Sequence, residues 1–249
     1  MDPETPTNDS VNTLIYGPFG SGKTHAAFTA RQPIYMQSFD PNGSELPHVR
    51  KMVAEGRAIV NRECEIEDDR RPIALDKFVA NFDAMKKAKA FDFIGTYVVD
   101  SLTFFCDAVM NKALAEAGRQ GTHPQIQDYG RLKALIKRIM ANCCTLPCDF
   151  VLTGHISTLK DEVTMETITS LLTIGNNNQI IPAYFDEVYV ADVSRKDDKP
   201  VYRFLTSPNR RYSARTRIGS GVFSQYEAPD LMALRKKAGR GVDHLPLLR

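Results

Sequence analysis

Gly17-Pro18-Phe19-Gly20-Ser21-Gly22-Lys23-Thr24 is the stretch of sequence that decides the fold. It fits the pattern G-x-x-x-x-G-K-[ST], in which a glycine-rich loop joins a strand to a helix. Residues Thr13–Tyr16 before it predict a short buried strand, and Thr24–Arg31 after it predict the first turns of a helix. A loop in this context points its backbone N–H groups and the positive end of the helix dipole at one place. The sequence therefore predicts an anion-binding cradle between the strand and the helix.

Two side chains of this stretch have predicted chemical roles. Lys23 would reach the β- and γ-phosphates of a nucleotide, and the hydroxyl of Thr24 would bind Mg²⁺. Gly17 and Gly22 allow a close backbone approach that a Cβ would block. ATP and Mg²⁺ are therefore the predicted cofactors. The predicted nucleotide-binding residues are Gly17, Pro18, Phe19, Gly20, Ser21, Gly22, Lys23, Thr24 and His25.

Composition places the chain among ordinary globular proteins. Its 249 residues suffice for one large domain, and a hydrophobic fraction of 43% is typical of a packed core. No apolar run approaches the length of a membrane span, and residues 1–10 lack the layout of a signal peptide. The five cysteines have neither disulfide-framework nor zinc-site spacing, which favours reduced, buried thiols. We therefore expect a cytoplasmic protein without a membrane partner.

Charge is distributed unevenly along the sequence. Residues 194–249 contain 13 Lys/Arg and 5 Asp/Glu, a net charge of +8. The first 193 residues contain 19 basic and 25 acidic residues, a net charge of −6. A basic C-terminal part on an acidic body indicates a polyanion partner or electrostatic docking between subunits. A basic surface that is merely solvated is the remaining alternative.

A candidate metal-binding carboxylate follows a later apolar run. Phe93–Val99 reads as a buried parallel strand, and it ends in Asp100. After a phosphate-binding loop, an aspartate in this position would hold Mg²⁺ through water and Thr24. Ser101 follows Asp100, although many ATPases place a water-activating glutamate at that position.

His155 follows another buried run, which begins at Asp149. Because the carboxyl ends of parallel strands meet at one edge of a sheet, His155 would lie at the same edge as Lys23 and Asp100. Two interpretations stay open: a sensor of the γ-phosphate, and an ordinary histidine satisfied at a strand end.

Strands and helices alternate along most of the chain, which predicts an α/β fold: a mostly parallel sheet with helices on both faces. Phe185–Val193 and Val201–Thr206 predict an antiparallel hairpin added to that sheet. We predict a flexible N-terminal arm (1–10), a core (11–219) and a basic C-terminal tail (220–249). The longer predicted helices are Glu45–Arg57, Asp76–Ala90, Leu102–Ala117 and Asp128–Cys144.

The order of these motifs resembles the RecA-like core of P-loop NTPases. More narrowly, the sequence resembles phage-encoded single-strand annealing proteins, the RecA-like branch of the Sak proteins. The resemblance covers about residues 11–219, and the phosphate-binding loop is its most specific part. The motifs that carry it are Gly17–Thr24, Val98–Ser101, Leu152–His155, Ala183–Val188 and Ala214–Gly219.

The resemblance implies a catalytic set. In RecA-like proteins an acidic residue after the second strand polarises the attacking water; Asp40 is the matching position, although the usual residue is Glu. Glu45 is the reserve candidate. A shorter carboxylate must approach closer or act through a second water, and a displacement of about 1 Å can cost about a hundredfold in rate. His155 matches the polar residue that couples the nucleotide to a DNA-binding loop.

The resemblance also implies DNA-binding and intersubunit residues. The loops after His155, from 156 to about 181, and from Gly118 to Gln127 would bind DNA. Arg215 or Arg217 would reach the nucleotide of a neighbouring subunit, which requires an oligomer; an ordinary surface arginine cluster is the alternative. The predicted DNA-binding residues are Arg119, His123 and Lys160.

The predicted function is an ATP-hydrolysing, oligomeric recombination protein that anneals or pairs single-stranded DNA. Its expected partners are single-stranded DNA, further copies of itself and a single-strand binding protein, in the cytoplasm of a bacterial host. Two alternatives stay open: a kinase-like P-loop phosphotransferase, and a nucleotide-dependent switch or scaffold with little hydrolysis.

Overall fold

The computed structural model describes residues 9–160, 167–174 and 177–247. An eight-stranded sheet forms the centre of this part of the chain, and a separate two-stranded sheet lies beside it. The strands are β1 (Asn12–Tyr16), β2 (Ile34–Ser38), β3 (Ala58–Asn61), β4 (Thr96–Asp100), β5 (Asp149–Gly154), β6 (Ile156–Lys160), β7 (Thr167–Leu171), β8 (Glu187–Lys196), β9 (Lys199–Leu205) and β10 (Tyr226–Glu227). The helices are α1 (Lys23–Ala27), α2 (Pro47–Ala54), α3 (Ala74–Lys87), α4 (Leu102–Glu116), α5 (Ile126–Cys143), α6 (Asn177–Ile180) and α7 (Leu231–Lys237).

The strand order of the large sheet is β10-β9-β8-β1-β5-β4-β2-β3. The six strands from β8 to β3 are parallel, whereas β9 and β10 are antiparallel additions at one edge. β5 lies between β1 and β4, so the phosphate-loop strand and the aspartate strand are separated by one strand. Tyr16 pairs with Gly154 and Ser38 with Asp100, so the carboxyl ends of these strands meet at one edge. The predicted RecA-like α/β fold, with its antiparallel hairpin, is confirmed.

Helices pack on both faces of the sheet because the strands alternate the faces to which they send apolar side chains. Leu14 packs with Phe105 of α4 and Ile136 of α5 on one face. Its neighbour Ile15 packs with Ala26 and Met52, from α1 and α2, on the other face. Both layers are fully apolar and buried, and they hold the strand ends in fixed relative positions.

Two helices are shorter than the sequence predicts. α1 ends at Ala27 rather than at Arg31, and the next residues form tighter turns, such as Phe28 N–H to the His25 carbonyl oxygen (3.1 Å). Thr29 donates both its backbone N–H (3.0 Å) and its hydroxyl (2.6 Å) to the Ala26 carbonyl oxygen, the acceptor that a continued α-helix would offer to Ala30. α2 starts at Pro47 rather than at Glu45, as expected for proline at the first helical position.

The stretch after β5, predicted as a long loop or hairpin, contains the antiparallel pair β6–β7 and the short helix α6. The predicted turn at 175–178 falls partly on residues 175–176, which lie outside the described residues. Residues 1–8 of the predicted N-terminal arm also lie outside them.

Residues 220–247 contribute β10 and α7 to the molecule. Arg235 of α7 is 4% exposed and donates to both carboxylate oxygens of the buried Asp149 (3.1 and 3.3 Å). Arg31 lies 3.6 Å from the same carboxylate. α7 is therefore fixed against the amino end of β5 by a buried ion-pair cluster. Among the described residues, no helix combines the length and apolar character needed to cross a bilayer.

Candidate nucleotide-binding site

A cleft of about 670 Å³ lies at the carboxyl edge of β1, β4 and β5. The predicted residues Lys23, Thr24, Asp40, Asp100 and His155 all line it. These residues come from four separate parts of the sequence, and the parallel register of the strands brings them together. The volume of this cleft is in the range of small-molecule and cofactor pockets.

The loop after β1 has the backbone that its glycines predict. Gly20 and Gly22 have φ values of +71° and +81°, a conformation that other residues rarely adopt. A Cβ on Gly17 would collide with the backbone carbonyl of Ala191 in β8, so glycine is required there for packing. Lys23 Nζ donates to the carbonyl oxygens of Gly17 (3.1 Å) and Pro18 (2.8 Å). The ammonium group is thereby held inside the loop, where phosphates would be bound.

Thr24 and Asp100 form the candidate magnesium site. Thr24 Oγ1 donates to Asp100 Oδ2 (2.7 Å), and Thr153 Oγ1 donates to Asp100 Oδ1. A hydroxyl beside a carboxylate supplies the hard oxygen ligands that Mg²⁺ prefers, usually with retained waters, so these residues fit the ion. Mg²⁺ would there neutralise charge on the phosphates. Burial raises the pKa of Asp100, while the hydrogen bonds from Thr153 and Thr24 oppose that rise.

Asp40 lies two residues after the end of β2 and lines the same cleft. Its backbone N–H donates to the Asp100 carbonyl oxygen (3.2 Å), so the two carboxylates belong to adjacent backbone segments. Burial, with the Asp100 charge as a smaller cause, raises the pKa of Asp40 to about 6. A carboxylate with a pKa near neutrality is suited to accept a proton from water. The reserve candidate Glu45 instead forms ion pairs with Arg50 and Arg62.

The pKa of Asp40 predicts the pH dependence of ATP hydrolysis. If Asp40 is the base, it acts only when deprotonated, so kcat/KM should rise through about pH 6 and then level off. The measurement is kcat/KM for ATP from about pH 5 to about pH 8. Asp40→Asn should remove both the activity and the inflection, whereas Asp40→Glu should keep both. A wild-type profile that is flat through about pH 6 would contradict this role.

His155 lies between the cleft and the aromatic residues around it. Its ring lies against Phe19 in a tilted arrangement (centroids 4.4 Å apart) and meets Phe104 edge-on at 6.4 Å. Burial, with the Lys23 charge as a smaller cause, lowers the pKa of His155 to about 4, so the imidazole is neutral at neutral pH. Its Nε2 lies 4.0 Å from Asp40 Oδ2, too far for a hydrogen bond. Neither ring nitrogen has a hydrogen-bond partner among the described residues, which leaves both free for a ligand.

The predicted intersubunit arginines do not line the cleft of their own chain. Arg215 donates to the backbone carbonyls of Pro182 (2.8 Å) and Phe185 (2.5 Å). Arg217 is about half exposed and pairs with Asp186 at 3.2 Å. Arg215 therefore braces its own chain, whereas Arg217 lies at the surface. Their action on a neighbouring nucleotide stays a prediction.

Glu187 fixes the backbone that carries these arginines. This buried carboxylate accepts hydrogen bonds from Tyr189 Oη (2.6 Å), Thr216 Oγ1 (2.5 Å) and the backbone N–H groups of Arg217 (2.7 Å) and Ile218 (2.9 Å). In the sequence, Glu187 is recognisable only as part of the motif Ala183–Val188. The structure assigns it the positioning of residues 215–218.

We expect Glu187→Ala to lower the free energy of unfolding by about 3 kcal/mol. Four donors would lose their acceptor in a buried site, and unsatisfied buried donors are costly. Urea unfolding of the variant and the wild type measures the difference. Glu116→Ala, at an exposed carboxylate at the end of α4, is the control and should change the value little. A Glu187→Ala protein as stable as the wild type would refute this role.

The predicted DNA-binding residues lie away from the cleft. Arg119 pairs with the buried Asp128 at 2.5 Å and so supports the start of α5. His123 is exposed in the segment between α4 and α5. Lys160 ends β6, and its side chain lies outside what the structure describes. DNA binding by these three residues stays a prediction.

Three residues of the site were not recognised from the sequence. Thr153 is fully buried and lies within a quoted motif, but nothing in the sequence singled it out as a partner of Asp100. His48 and Tyr202 line the cleft. The ring of His48 lies 4.1 Å from that of His25, and Tyr202 lies beside Gly22. They come from α2 and β9, and only the three-dimensional fold brings them to the phosphate loop.

Comparison with known proteins gives one family match. The family model AAA_24, described as an AAA domain, matches residues 9–218. The structure is similar to the KaiC-like protein PH0186 from Pyrococcus horikoshii OT3, with 14% identity, 83% of each chain covered and a TM-score of 0.46. It is also similar to the flagellar accessory protein FlaH from Methanocaldococcus jannaschii, with 12% identity, 87% of this chain and 83% of that chain covered, and a TM-score of 0.41. No curated protein matches the sequence.

Proposed function

Because this chain belongs to the AAA domain family and has a RecA-like P-loop core, we propose that it hydrolyses ATP and binds single-stranded DNA. It promotes annealing or strand pairing as a homo-oligomer. The resemblance of its motifs to phage annealing proteins supports this choice, and a single-strand binding protein is a further partner in the bacterial host.

Each of the cleft residues has a separate role in the proposed hydrolysis of ATP. Lys23 and the backbone of the phosphate loop bind the β- and γ-phosphates. Asp40 accepts the proton of the attacking water, and the neutral His155 donates a hydrogen bond to the γ-phosphate. Thr24 and Asp100 hold Mg²⁺, which supplies charge neutralisation when bound.

The observation that carries the DNA-binding part is the link between the cleft and the β6–β7 pair. His155 lines the cleft, and β6 begins at the next residue, Ile156. Leu172, directly after β7, donates its backbone N–H to the His155 carbonyl oxygen (2.8 Å). The start of β6 and the end of β7 are therefore both attached at His155. A nucleotide that repositions this residue repositions the strand pair, which is how ATP would control DNA contact.

A switch with little hydrolysis is the second candidate, and one observation favours it. Asp40 is shorter than the usual glutamate, so it must approach the attacking water more closely or act through a second water. Slow turnover by a DNA-bound oligomer that still releases DNA on nucleotide exchange would favour this alternative. No specific observation among the described residues favours the phosphotransferase alternative.

The test of the proposal is the salt dependence of DNA binding. The anisotropy of labelled oligo(dT) is measured with the full chain and an ATP analogue at several salt concentrations. Because lysine and arginine displace counterions from phosphates, log K should fall linearly with log salt, with a slope of about −0.7 per contact. Size-exclusion chromatography with light scattering gives the oligomeric state. Absence of binding at low salt would refute the proposal.

A further inference from the structure

Two exposed arginines have no part in the ATP chemistry proposed above. Residues 207–213, here called the arginine loop, carry Arg210 and Arg211, both exposed. From Thr206 to Ile218 the sequence contains four arginines and neither Asp nor Glu. Arg217 of this segment pairs with Asp186, whereas Arg210 and Arg211 form no ion pair within the described part of the chain, and exposed cations of this kind attract anions.

The arginine loop is held in one shape by its own contacts. Asn209 Oδ1 accepts hydrogen bonds from the backbone N–H groups of Arg211 (2.9 Å) and Tyr212 (2.8 Å). Tyr212 packs against the main core cluster, and Tyr16 Oη donates to the Ser213 carbonyl oxygen (2.8 Å). A loop that is already ordered loses little conformational entropy when it binds a ligand.

The arginine loop also contacts the β6–β7 pair. Arg211 Nε donates to Thr169 Oγ1 of β7 (3.3 Å), and Thr169 is buried. A guanidinium group has five N–H donors, so the hydrogen bond to Thr169 leaves the other N–H groups of Arg211 available to a ligand. The arginine loop is thus in direct contact with the strand pair attached at His155.

We propose that Arg210 and Arg211 bind the phosphates of single-stranded DNA and form, with the β6–β7 pair, the DNA surface coupled to the cleft. This inference rests on the proposed function and names where its partner binds. The planar guanidinium fork matches phosphate geometry. An acidic protein could satisfy the same charges, but attachment of the surface to the nucleotide cleft favours the ligand whose binding ATP controls.

The experiment compares Arg210→Ala/Arg211→Ala with the wild type in the full chain. Binding of labelled oligo(dT) is followed by anisotropy with an ATP analogue over a range of salt. Loss of two phosphate contacts should weaken binding about tenfold and reduce the salt slope by about 1.4. Lys86→Ala/Lys87→Ala, which removes the same charge from the exposed side of α3, is the matched control. Arg210→Lys/Arg211→Lys should restore the slope.

Each other outcome overturns the inference. If the wild type binds DNA and the double alanine variant has the same affinity and slope, the arginine loop is not the site, although the proposed function stands. If affinity falls with an unchanged slope, or if light scattering shows a changed oligomeric state, the arginines act structurally or between subunits. If the wild type binds no DNA, the proposed function itself fails. Unchanged ATP turnover without DNA shows that the variant is folded.

Discussion

Replacing Lys23 with alanine is expected to lower ATP turnover by at least about a hundredfold. The ammonium group is buried in the phosphate loop, where it donates to the carbonyl oxygens of Gly17 and Pro18. These carbonyls hold it where charge develops on the transferred phosphoryl group. Burial lowers the pKa of Lys23, and the nearby Asp100 and Asp40 charges oppose that shift and favour the charged form.

The Lys23→Ala protein should lose about 1 kcal/mol of unfolding free energy, since the carbonyl oxygens of Gly17 and Pro18 lose a donor. Steady-state phosphate release measures turnover, and thermal unfolding checks the fold. Lys87→Ala, at an exposed position of α3, is the control and should keep wild-type activity. Turnover by Lys23→Ala at the wild-type rate would place hydrolysis elsewhere in the chain.

Asp100→Asn should have opposite effects on activity and stability. Turnover should fall by about a thousandfold, because the variant loses the charge that holds Mg²⁺ beside Thr24. The free energy of unfolding at neutral pH should rise by about 1 kcal/mol, since functional sites often retain groups that destabilise the fold.

The direction of the stability change follows from the raised pKa of Asp100. A buried carboxyl with a raised pKa binds its proton more tightly in the folded state, so its contribution to stability is lost as pH rises through that pKa. The stability gain of Asp100→Asn should therefore disappear in acid. Urea unfolding at neutral and acidic pH measures it. A variant less stable than the wild type at both pH values would show that the hydrogen bonds to Asp100 outweigh its burial.

Local chemistry explains why part of the site could be predicted from the sequence. The phosphate loop is contiguous, and its glycines, lysine and threonine act within one turn of backbone. Asp100 was found because a buried strand ending in a carboxylate is a recognisable pattern, and parallel strands bring such ends to one edge. The fold class followed from the same alternation of strands and helices.

The cleft residues that the sequence did not predict reach the cleft through contacts between distant segments. His48 and Tyr202 reach the cleft only through the packing of α2 and the pairing of β9. The choice between Asp40 and Glu45 also needed the structure, because ion pairs with Arg50 and Arg62 engage Glu45. In the sequence, Arg211 contributes only to the basic charge of residues 194–249. The structure adds its hydrogen bond to Thr169 of β7. Such relations depend on register and packing, which periodicity does not encode.

We propose that DNA binding and ATP hydrolysis are coupled through His155, and ATP turnover in the presence and absence of DNA tests this coupling. Steady-state ATP turnover of the full chain is measured with and without oligo(dT), at low and high salt. We expect DNA to raise turnover at low salt, high salt to remove the increase, and Lys23→Ala to abolish turnover with and without DNA. Turnover that depends on Lys23 but is identical with and without DNA at low salt would contradict it.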